Sequence, residues 1–249
     1  MGAYGAGIAI AHFDIPWPLA MFIGVVAAGM VAAIMGALAI RTRGIYFAMV
    51  TLALSQCVYY IVYQMEDLSG GENGLRGVDV HSIHIFGFEV SLIDPTNKYY
   101  FVFFFTALAV WLFSRILASP FGAVLEAIRE NENRARACGY DVARTKWLAF
   151  ILSGLFCGLA GTLYAIHLSI VPIETLNYHT SGQVVMMALL GGMGTFFGPF
   201  IGATTFLLLE DIVTLLTEHW QLFVGSLFVL LVLFFPRGIW GSALRWITR

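Results

Sequence analysis

Long runs of apolar residues constrain this chain more than any other feature of its sequence. A helix that crosses about 30 Å of hydrocarbon needs roughly 20 apolar residues, and its backbone polar groups must be hydrogen bonded internally. The sequence predicts six such spans, at 18–39, 44–64, 98–117, 147–167, 199–216 and 220–235. Charged residues make up only 11% of the chain, whereas soluble domains contain about 25%, so a water-soluble fold is not expected.

Two further apolar segments are too short or too interrupted to form clean spans. Residues 1–11 are rich in Gly and Ala and fit half of a helix, and residues 182–198 are broken by Gly191, Gly192 and Gly194. Such a break fits a broken or re-entrant helix, which borders either a transport pathway or a site of close helix packing. The sequence therefore predicts an all-α polytopic membrane protein, a bundle of about six spans that forms one transmembrane domain over 1–249.

Basic residues are distributed unevenly between the two predicted sides of the membrane. Eleven of the 13 Lys and Arg residues lie on one side, after the first span, in or beside the 119–146 loop, and after the last span. Arg76 and Lys98 lie on the other side. Because cytoplasmic loops are enriched in basic residues, the 119–146 loop is predicted to be cytoplasmic and the 65–97 loop extracytoplasmic. Glycines followed by alternating residues favour a small hairpin in the 65–97 loop.

The 119–146 loop carries the pattern of an amphipathic helix. Ser119 suits the N-cap and Pro120 the first helical position, and Gly139 is expected to end the helix. An apolar stripe recurs at spacings of three and four residues and consists of Phe121, Val124, Leu125 and Ile128. Such a helix could lie on lipid, pack on its own protein or bind a partner, and its mixed charge favours the last two over anionic lipid.

Polar side chains recur every four residues along the second span. Thr51, Ser55, Tyr59 and Tyr63 therefore share one helix face, which could border a substrate pathway. Alternatively, the hydroxyls could bond to the backbone of their own helix, and the tyrosines could belong to an interfacial aromatic belt.

The sequence contains no pattern for catalysis. It has no G-x-x-x-x-G-K-[ST] phosphate-binding loop, no nucleophile motif and no set of residues at metal-ligand spacing. We therefore expect this chain to be no enzyme and to hold no cofactor or metal, and nucleic-acid binding is not indicated.

Several stretches resemble the branched-chain amino acid permeases of the LivM type, which are membrane components of ATP-binding-cassette importers. They are EAIRENENRARACGYD at 126–141, RTRGIYFAMVTLALSQ at 41–56, LSGGENGL at 68–75, GGMGTFFGPFIGA at 191–203 and PRGIWG at 236–241. These stretches follow the family's order over nearly the whole chain. The family normally has further spans before the stretch that this chain reaches at 2–4, so we expect the family's N-terminal spans to be missing.

The resemblance implies a multi-pass permease of the bacterial inner membrane that works by alternating access. Its partners would be a second permease subunit of the LivH type, two cytoplasmic ATP-binding subunits that use ATP and Mg²⁺, and a periplasmic amino-acid-binding protein. The residues implied in docking the ATP-binding subunits are Glu126, Ala127, Arg129, Glu130, Asn131 and Gly139. The candidates for the substrate pathway are Thr51, Ser55, Gly70, Gly71, Asn73, Gly191, Gly192 and Gly194.

Two alternatives remain open for the function. The same machine could carry urea or another small polar solute, because the sequence does not identify the cargo. An ion-coupled secondary transporter belongs to a different class and would need no helix for docking an ATPase, so the 119–146 loop is the feature that distinguishes it.

Overall fold

The computed structural model describes residues 1–42, 44–78, 83–85, 88–90, 94–192 and 195–216, together with residues 225, 226, 238 and 240. The helices are α1 Gly2–Phe13, α2 Trp17–Ala39, α3 Ile45–Gln64, α4 Glu66–Ser69, α5 Pro95–Leu117, α6 Pro120–Glu130, α7 Glu132–Ala137, α8 Val142–Leu168, α9 Tyr178–Gly191 and α10 Gly198–Leu216. Two 3-10 turns cover Gly71–Asn73 and Ile173–Leu176, and the strands are β1 Ile83–Ile85 and β2 Phe88–Val90. The chain divides into two compact units, 1–176 and 177–249.

Five of the described helices, α2, α3, α5, α8 and α10, are long and apolar enough to cross a membrane. They confirm the all-α polytopic fold and correspond to five of the six predicted spans. Two of them begin earlier than predicted, α5 at Pro95 and α8 at Val142. Of the sixth predicted span, 220–235, the structure describes only residues 225 and 226, so this span stays a prediction. The single domain over 1–249 also stays a prediction.

Helices α2 and α8 run antiparallel in the first unit, with small residues along their contact. A Cβ added at Gly154 would overlap the side chain of Ala32, and one added at Gly158 would lie 2.5 Å from the Ala28 Cβ. These contacts recur every four residues, so that one narrow face of each helix is involved. Small residues on such a face let membrane helices approach closely, which increases their van der Waals contact.

Helix α1 is the half-helix that the sequence predicts at 1–11. Its 12 residues extend about 18 Å. It packs on α2 and α8, and a Cβ at Gly2 would overlap the backbone of Gly158, so α1 begins beside the middle of α8. It ends at Phe13, where Asp14 adopts a left-handed conformation with φ 48° and donates its backbone N–H to α1 carbonyls.

Helices α3 and α5 flank this core with few buried side chains. Edge-to-face ring contacts join Phe47 of α3 to Phe150 of α8 and Phe113 of α5 to Phe156 of α8, with centroids 6.4 Å and 5.4 Å apart. Only 6% of the most apolar stretch of α3 is buried, and none of that of α5. Apolar faces of this extent fit contact with lipid or with another membrane subunit.

Strands β1 and β2 confirm the small hairpin predicted in the 65–97 loop. They pair antiparallel, with Ile83 opposite Val90 and Ile85 opposite Phe88. The described part of the chain is otherwise helical or irregular, which is consistent with an all-α membrane bundle.

In the second unit, α9 and α10 form a helical hairpin. A Cβ at Gly191 would overlap the backbone of Gly198, and one at Gly202 would overlap the carbonyl of Met187, so α10 runs back along α9. Helix α9 has 14 residues and extends about 21 Å, less than a full span. The break between the helices confirms the broken helix predicted for this segment, although α9 begins four residues earlier, at Tyr178.

Candidate functional site

The 119–146 loop folds as two helices rather than one. Helix α6 ends at Glu130, and Asn131 adopts an extended conformation, with φ −157° and ψ 102°, before α7 begins. The Asn131 side chain accepts a hydrogen bond from the Arg134 N–H at 3.0 Å and so caps α7. The prediction of one helix that continues to Gly139 is therefore wrong, because this internal cap interrupts it. Gly139, with φ 88°, does follow the end of α7.

At the start of α6, the predicted position of Pro120 is confirmed, whereas the predicted side-chain cap by Ser119 is absent. Pro120 occupies the first helical position, as predicted. The Ser119 hydroxyl, however, donates to the Ile116 carbonyl at 2.6 Å, and Ser119 makes no side-chain cap bond to α6. The predicted side-chain cap is wrong because α5 ends at Leu117, so that carbonyls of its last turn lie next to Ser119 and lack intrahelical partners.

The apolar stripe of α6 faces the protein's own chain. Ile128 is 9% exposed and clusters with Ala135 of α7 and Val142 of α8, and Val124 packs against this cluster. The other two stripe residues, Phe121 and Leu125, are partly buried. Self-packing therefore accounts for the stripe, and α6 is held on α7 and α8 by it.

The residues predicted to dock an ATP-binding subunit are all exposed. We call this set the docking surface, and it consists of Glu126, Ala127, Arg129, Glu130, Asn131 and Gly139. The first five lie on the second half of α6 and at its end, and the glycine follows α7. Because the stripe anchors α6 on its own chain, the charged side of the helix is presented to the surroundings. The docking role itself stays a prediction.

Glu132 forms two ion pairs, one that joins α7 to α8 and one within α7. Glu132 Oε2 accepts a hydrogen bond from Lys146 Nζ at 2.7 Å, which joins α7 to α8. Glu132 Oε1 accepts one from Arg136 Nη2 at 3.2 Å within α7. Sequence reasoning missed this role of Glu132. The four-residue spacing to Arg136 was a usable signal, whereas nothing in the sequence marks the contact with Lys146.

Two hydrogen bonds fix the beginning of α8, one within its own first turn and one to α2. Asp141 caps the helix, since its Oδ1 accepts a hydrogen bond from the Arg144 N–H at 3.0 Å. Trp147 Nε1–H donates to the Ala33 carbonyl of α2 at 2.9 Å. The sequence signal for the cap was an Asp three residues before Arg144, and no local signal predicts the bond of Trp147.

The polar stripe of α3 is satisfied within its own helix. Thr51 Oγ1 donates to carbonyls three and four residues earlier, at 2.9 Å and 3.0 Å, and Ser55 Oγ donates to the Leu52 carbonyl at 2.7 Å. Tyr59 and Tyr63 stack on each other with centroids 6.0 Å apart. These bonds favour the alternative in which the hydroxyls bond to the backbone of their own helix. The pathway role of Thr51 and Ser55 stays a prediction.

The LSGGENGL segment forms a tight turn after α4. Gly70 and Gly71 adopt left-handed conformations, with φ 75° and 56°, which side chains other than glycine rarely adopt. The buried Ser69 hydroxyl donates to the Val62 carbonyl at 2.7 Å and accepts a hydrogen bond from the Gly71 N–H at 3.1 Å. Asn73 is exposed. The two glycines therefore shape a turn, and the structure gives no separate account of Asn73.

This turn is attached to α1 and to the segment after α8. Leu75 and Val171 exchange two backbone hydrogen bonds, at 3.0 Å and 2.9 Å. The Tyr4 O–H donates to the Val171 carbonyl at 3.4 Å. Sequence reasoning missed this cluster, because its members lie up to 167 positions apart.

The glycines at the end of α9 lie in a close backbone contact. Gly191 is the last residue of α9, and Gly192 follows it with φ 109°. A Cβ at Gly238 would overlap the backbone of both. Packing therefore explains small residues here, and their pathway role stays a prediction. Gly194 lies outside the described residues. Within the described ranges, no group of three or more His, Cys, Asp or Glu residues could hold a metal ion.

Comparison with known proteins gives the family of the chain. The family described as the branched-chain amino acid transport system, permease component, matches residues 1–233. The chain belongs to this family. It is similar to the high-affinity branched-chain amino acid transport system permease protein LivM of Salmonella typhimurium and to that of Escherichia coli. Each is 29% identical over 237 residues, which is 85% of this chain and 55% of the relative.

A third relative carries a different name. The autoinducer 2 import system permease protein LsrC of Klebsiella pneumoniae is 35% identical over 130 residues, which is 49% of this chain and 37% of the relative. For the LivM relatives, the chain spans about half of their length. No solved structure matches it.

Proposed function

We propose that this chain is a permease subunit of an ATP-binding-cassette importer that moves branched-chain or similar amino acids across the bacterial inner membrane. Membership of a transport permease family and five helices of spanning length support a multi-pass membrane component of this kind. The observation that carries the proposal is the docking surface, which is exposed on a helix whose apolar side is already covered by α7 and α8.

The docking surface suits a protein partner better than a lipid surface. Glu126, Arg129 and Glu130 place both signs of charge within about one and a half turns, and all three are exposed. Anionic lipid favours a net positive segment, whereas a protein of complementary mixed charge can pair with each of these groups. An ion-coupled secondary transporter, which has no ATPase to dock, would have no use for such a surface.

The partner would supply the energy for transport. Two cytoplasmic ATP-binding subunits would bind ATP and Mg²⁺ and dock here, and a second permease of the LivH type and a periplasmic amino-acid-binding protein would complete the importer. Closure of the ATP-binding subunits would displace α6 and α7, which lie between two spanning helices, α5 and α8. Re-packing of those spans between two arrangements would open the pathway to either side in turn.

Branched-chain amino acids are the proposed cargo because the relatives with that name match most of the chain. The LivM proteins cover 85% of it, whereas the LsrC protein named for autoinducer 2 import covers 49%. Urea and other small polar solutes remain the notable competitors for the same machine.

Replacement of two charges in the docking surface tests the proposed function. In Glu126→Ala/Arg129→Ala, we expect the ATP-binding subunit to be lost from the purified complex, and uptake with it, because both groups are exposed and contribute to the partner contact. The matched control is Glu72→Ala/Arg76→Ala, which removes one acidic and one basic exposed side chain from the predicted extracytoplasmic loop. Co-purification and uptake that are unchanged in the first variant would rule out the docking role.

Uptake of labelled solutes by the reconstituted importer tests the cargo. We expect leucine, isoleucine and valine to be taken up in an ATP-dependent manner, with urea and autoinducer 2 as competing candidates. Uptake of urea or autoinducer 2 alone would replace the cargo and leave the docking role intact, whereas ATP-independent, ion-driven uptake would favour the secondary transporter.

A further inference from the structure

A short series of polar contacts joins the docking surface to the base of α8. We propose that Glu132 is a positioning residue that transmits displacement of the docking surface to α8 through its ion pair with Lys146. This inference rests on the proposed function, because it concerns how docking is coupled to transport.

The ion pair is the contact that carries the proposal. Lys146 Nζ lies 2.7 Å from Glu132 Oε2, across 14 positions of the sequence. The side chains are 28% exposed for Glu132 and 38% exposed for Lys146, so water screens the pair less than it would screen fully exposed charges. Arg136 Nη2, 3.2 Å from the other carboxylate oxygen, also orients the Glu132 side chain.

On the side of the docking surface, hydrogen bonds of Asn131 connect the end of α6 to α7. Its backbone N–H donates to the Ala127 carbonyl at 3.0 Å, and its backbone carbonyl accepts from the Ala135 N–H at 3.1 Å. Its side chain caps α7. Asn131 thus belongs to the docking surface and is also the N-cap of α7, so the six residues of α7 should move together with the end of α6.

On the membrane side, Lys146 is followed directly by Trp147, whose Nε1–H donates to the Ala33 carbonyl of α2 at 2.9 Å. Further along α8, Gly154 and Gly158 pack against α2. A displacement of Lys146 is therefore applied to the helix that α1 and α2 pack on, which is the core of the first unit.

The apolar cluster beside the ion pair cannot fix the direction of movement in the same way. Ile128, Ala135 and Val142 attract one another through burial, which is non-directional and tolerates small sliding. A charge-assisted hydrogen bond has a preferred length and angle, so it resists displacement along its axis. Removal of the ion pair should therefore leave the helices packed and weaken the transmission.

A double-mutant cycle on the assembled importer tests this proposal. Glu132→Gln and Lys146→Met each remove the ion pair, and the double variant removes both partners. We expect each single variant to lower solute uptake per ATP hydrolysed by about 3- to 10-fold, within the range that substitutions in coupling networks produce. The double variant should show no further loss, because the same contact is already absent.

Two further readouts separate transmission from a structural role. Co-purification of the ATP-binding subunit and the Tm of the complex should stay at the level of the unsubstituted complex. Arg136→Gln is the matched control, since it removes a charged partner of the same carboxylate but leaves the link between α7 and α8. This control should keep the normal ratio of uptake to ATP hydrolysis.

The outcomes distinguish this inference from the proposed function. If no ATP-binding subunit co-purifies with the unsubstituted chain, the proposed function fails. If coupled transport is present but Glu132→Gln and Lys146→Met keep the normal ratio, or if their effects add in the double variant, transmission through this ion pair is refuted alone. Transmission is also refuted if either variant loses the ATP-binding subunit from part of the preparation while the complex that remains assembled keeps the normal ratio of uptake to ATP hydrolysis.

Discussion

A single methyl group at Gly158 provides a direct test of the packing between α2 and α8. In Gly158→Ala the new Cβ would lie 2.5 Å from the Ala28 Cβ, and the next nearest atom, Val25 Cα, would lie at 3.4 Å. Carbon atoms pack at about 3.5–4.0 Å, so the helices must separate locally by about 1 Å. Overpacking of this kind costs about 1–3 kcal/mol.

The loss of stability in Gly158→Ala must be measured against a matched Gly-to-Ala substitution, because Ala favours helix formation over Gly by about 1 kcal/mol. Gly182→Ala in α9 provides it, since no atom lies within 4 Å of a Cβ at Gly182. We expect Gly158→Ala to be less stable than Gly182→Ala by about 1–3 kcal/mol. At about 2–4 °C per kcal/mol for a chain of this size, the Tm difference should be several degrees.

Thermal unfolding of the full chain in detergent, followed by circular dichroism, measures this difference. Ala28→Gly added to Gly158→Ala removes the atom that the new methyl group meets, so the double variant should recover most of the lost Tm. Equal Tm values for Gly158→Ala and Gly182→Ala, or no recovery in the double variant, would show that α2 and α8 do not pack at this distance.

Three further substitutions test other contacts by the Tm of the variant. Gly70→Ala should lower the Tm more than Gly77→Ala, because both glycines have positive φ but only a Cβ at Gly70 would overlap backbone, that of Gly74; equal losses would contradict this. Ser69→Ala should lower the free energy of unfolding by about 1–3 kcal/mol, since the buried Gly71 N–H loses its acceptor. A change in Tm within experimental error would refute the hydrogen bond between Gly71 and Ser69. Trp147→Phe should lower the free energy of unfolding by about 1 kcal/mol, because the hydrogen bond to the Ala33 carbonyl of α2 is lost. An unchanged Tm would argue against that hydrogen bond.

The spans were predictable because bilayer thickness imposes one length on all of them. An apolar run of about 20 residues has no other common use in a polytopic protein, so α2 and α3 agree with their predicted bounds to within one residue. Where the polar flank is itself helical the prediction fails, since the hydropathy of Val142–Lys146 gives no sign that α8 has already begun. Bilayer thickness sets the length of the apolar run, whereas the capping residues set where the helix begins and ends outside that run.

The candidate site was predictable in part, for a similar reason. The period of 3.6 residues identified the stripe that includes Ile128, and therefore also the opposite, exposed side with Glu126 and Arg129. The break at Asn131 was not predicted, because Asn within a helix and Asn as a cap give the same sequence pattern until the neighbouring chain is known. The Glu132 contact with Lys146 depends on how α7 folds back on α8, which no local period encodes.

Helix α9 is too short to cross the bilayer by itself, and the glycine at its end has a physical explanation. Peptide groups at the end of a short helix would otherwise meet hydrocarbon, where each unsatisfied group costs several kcal/mol. In the second unit, Gly191 lies against the backbone of Gly198, so protein covers the end of α9. Only glycine permits contacts this close. Close backbone packing thus explains Gly191, and the support for a transport function rests on the docking surface and on the family to which the chain belongs.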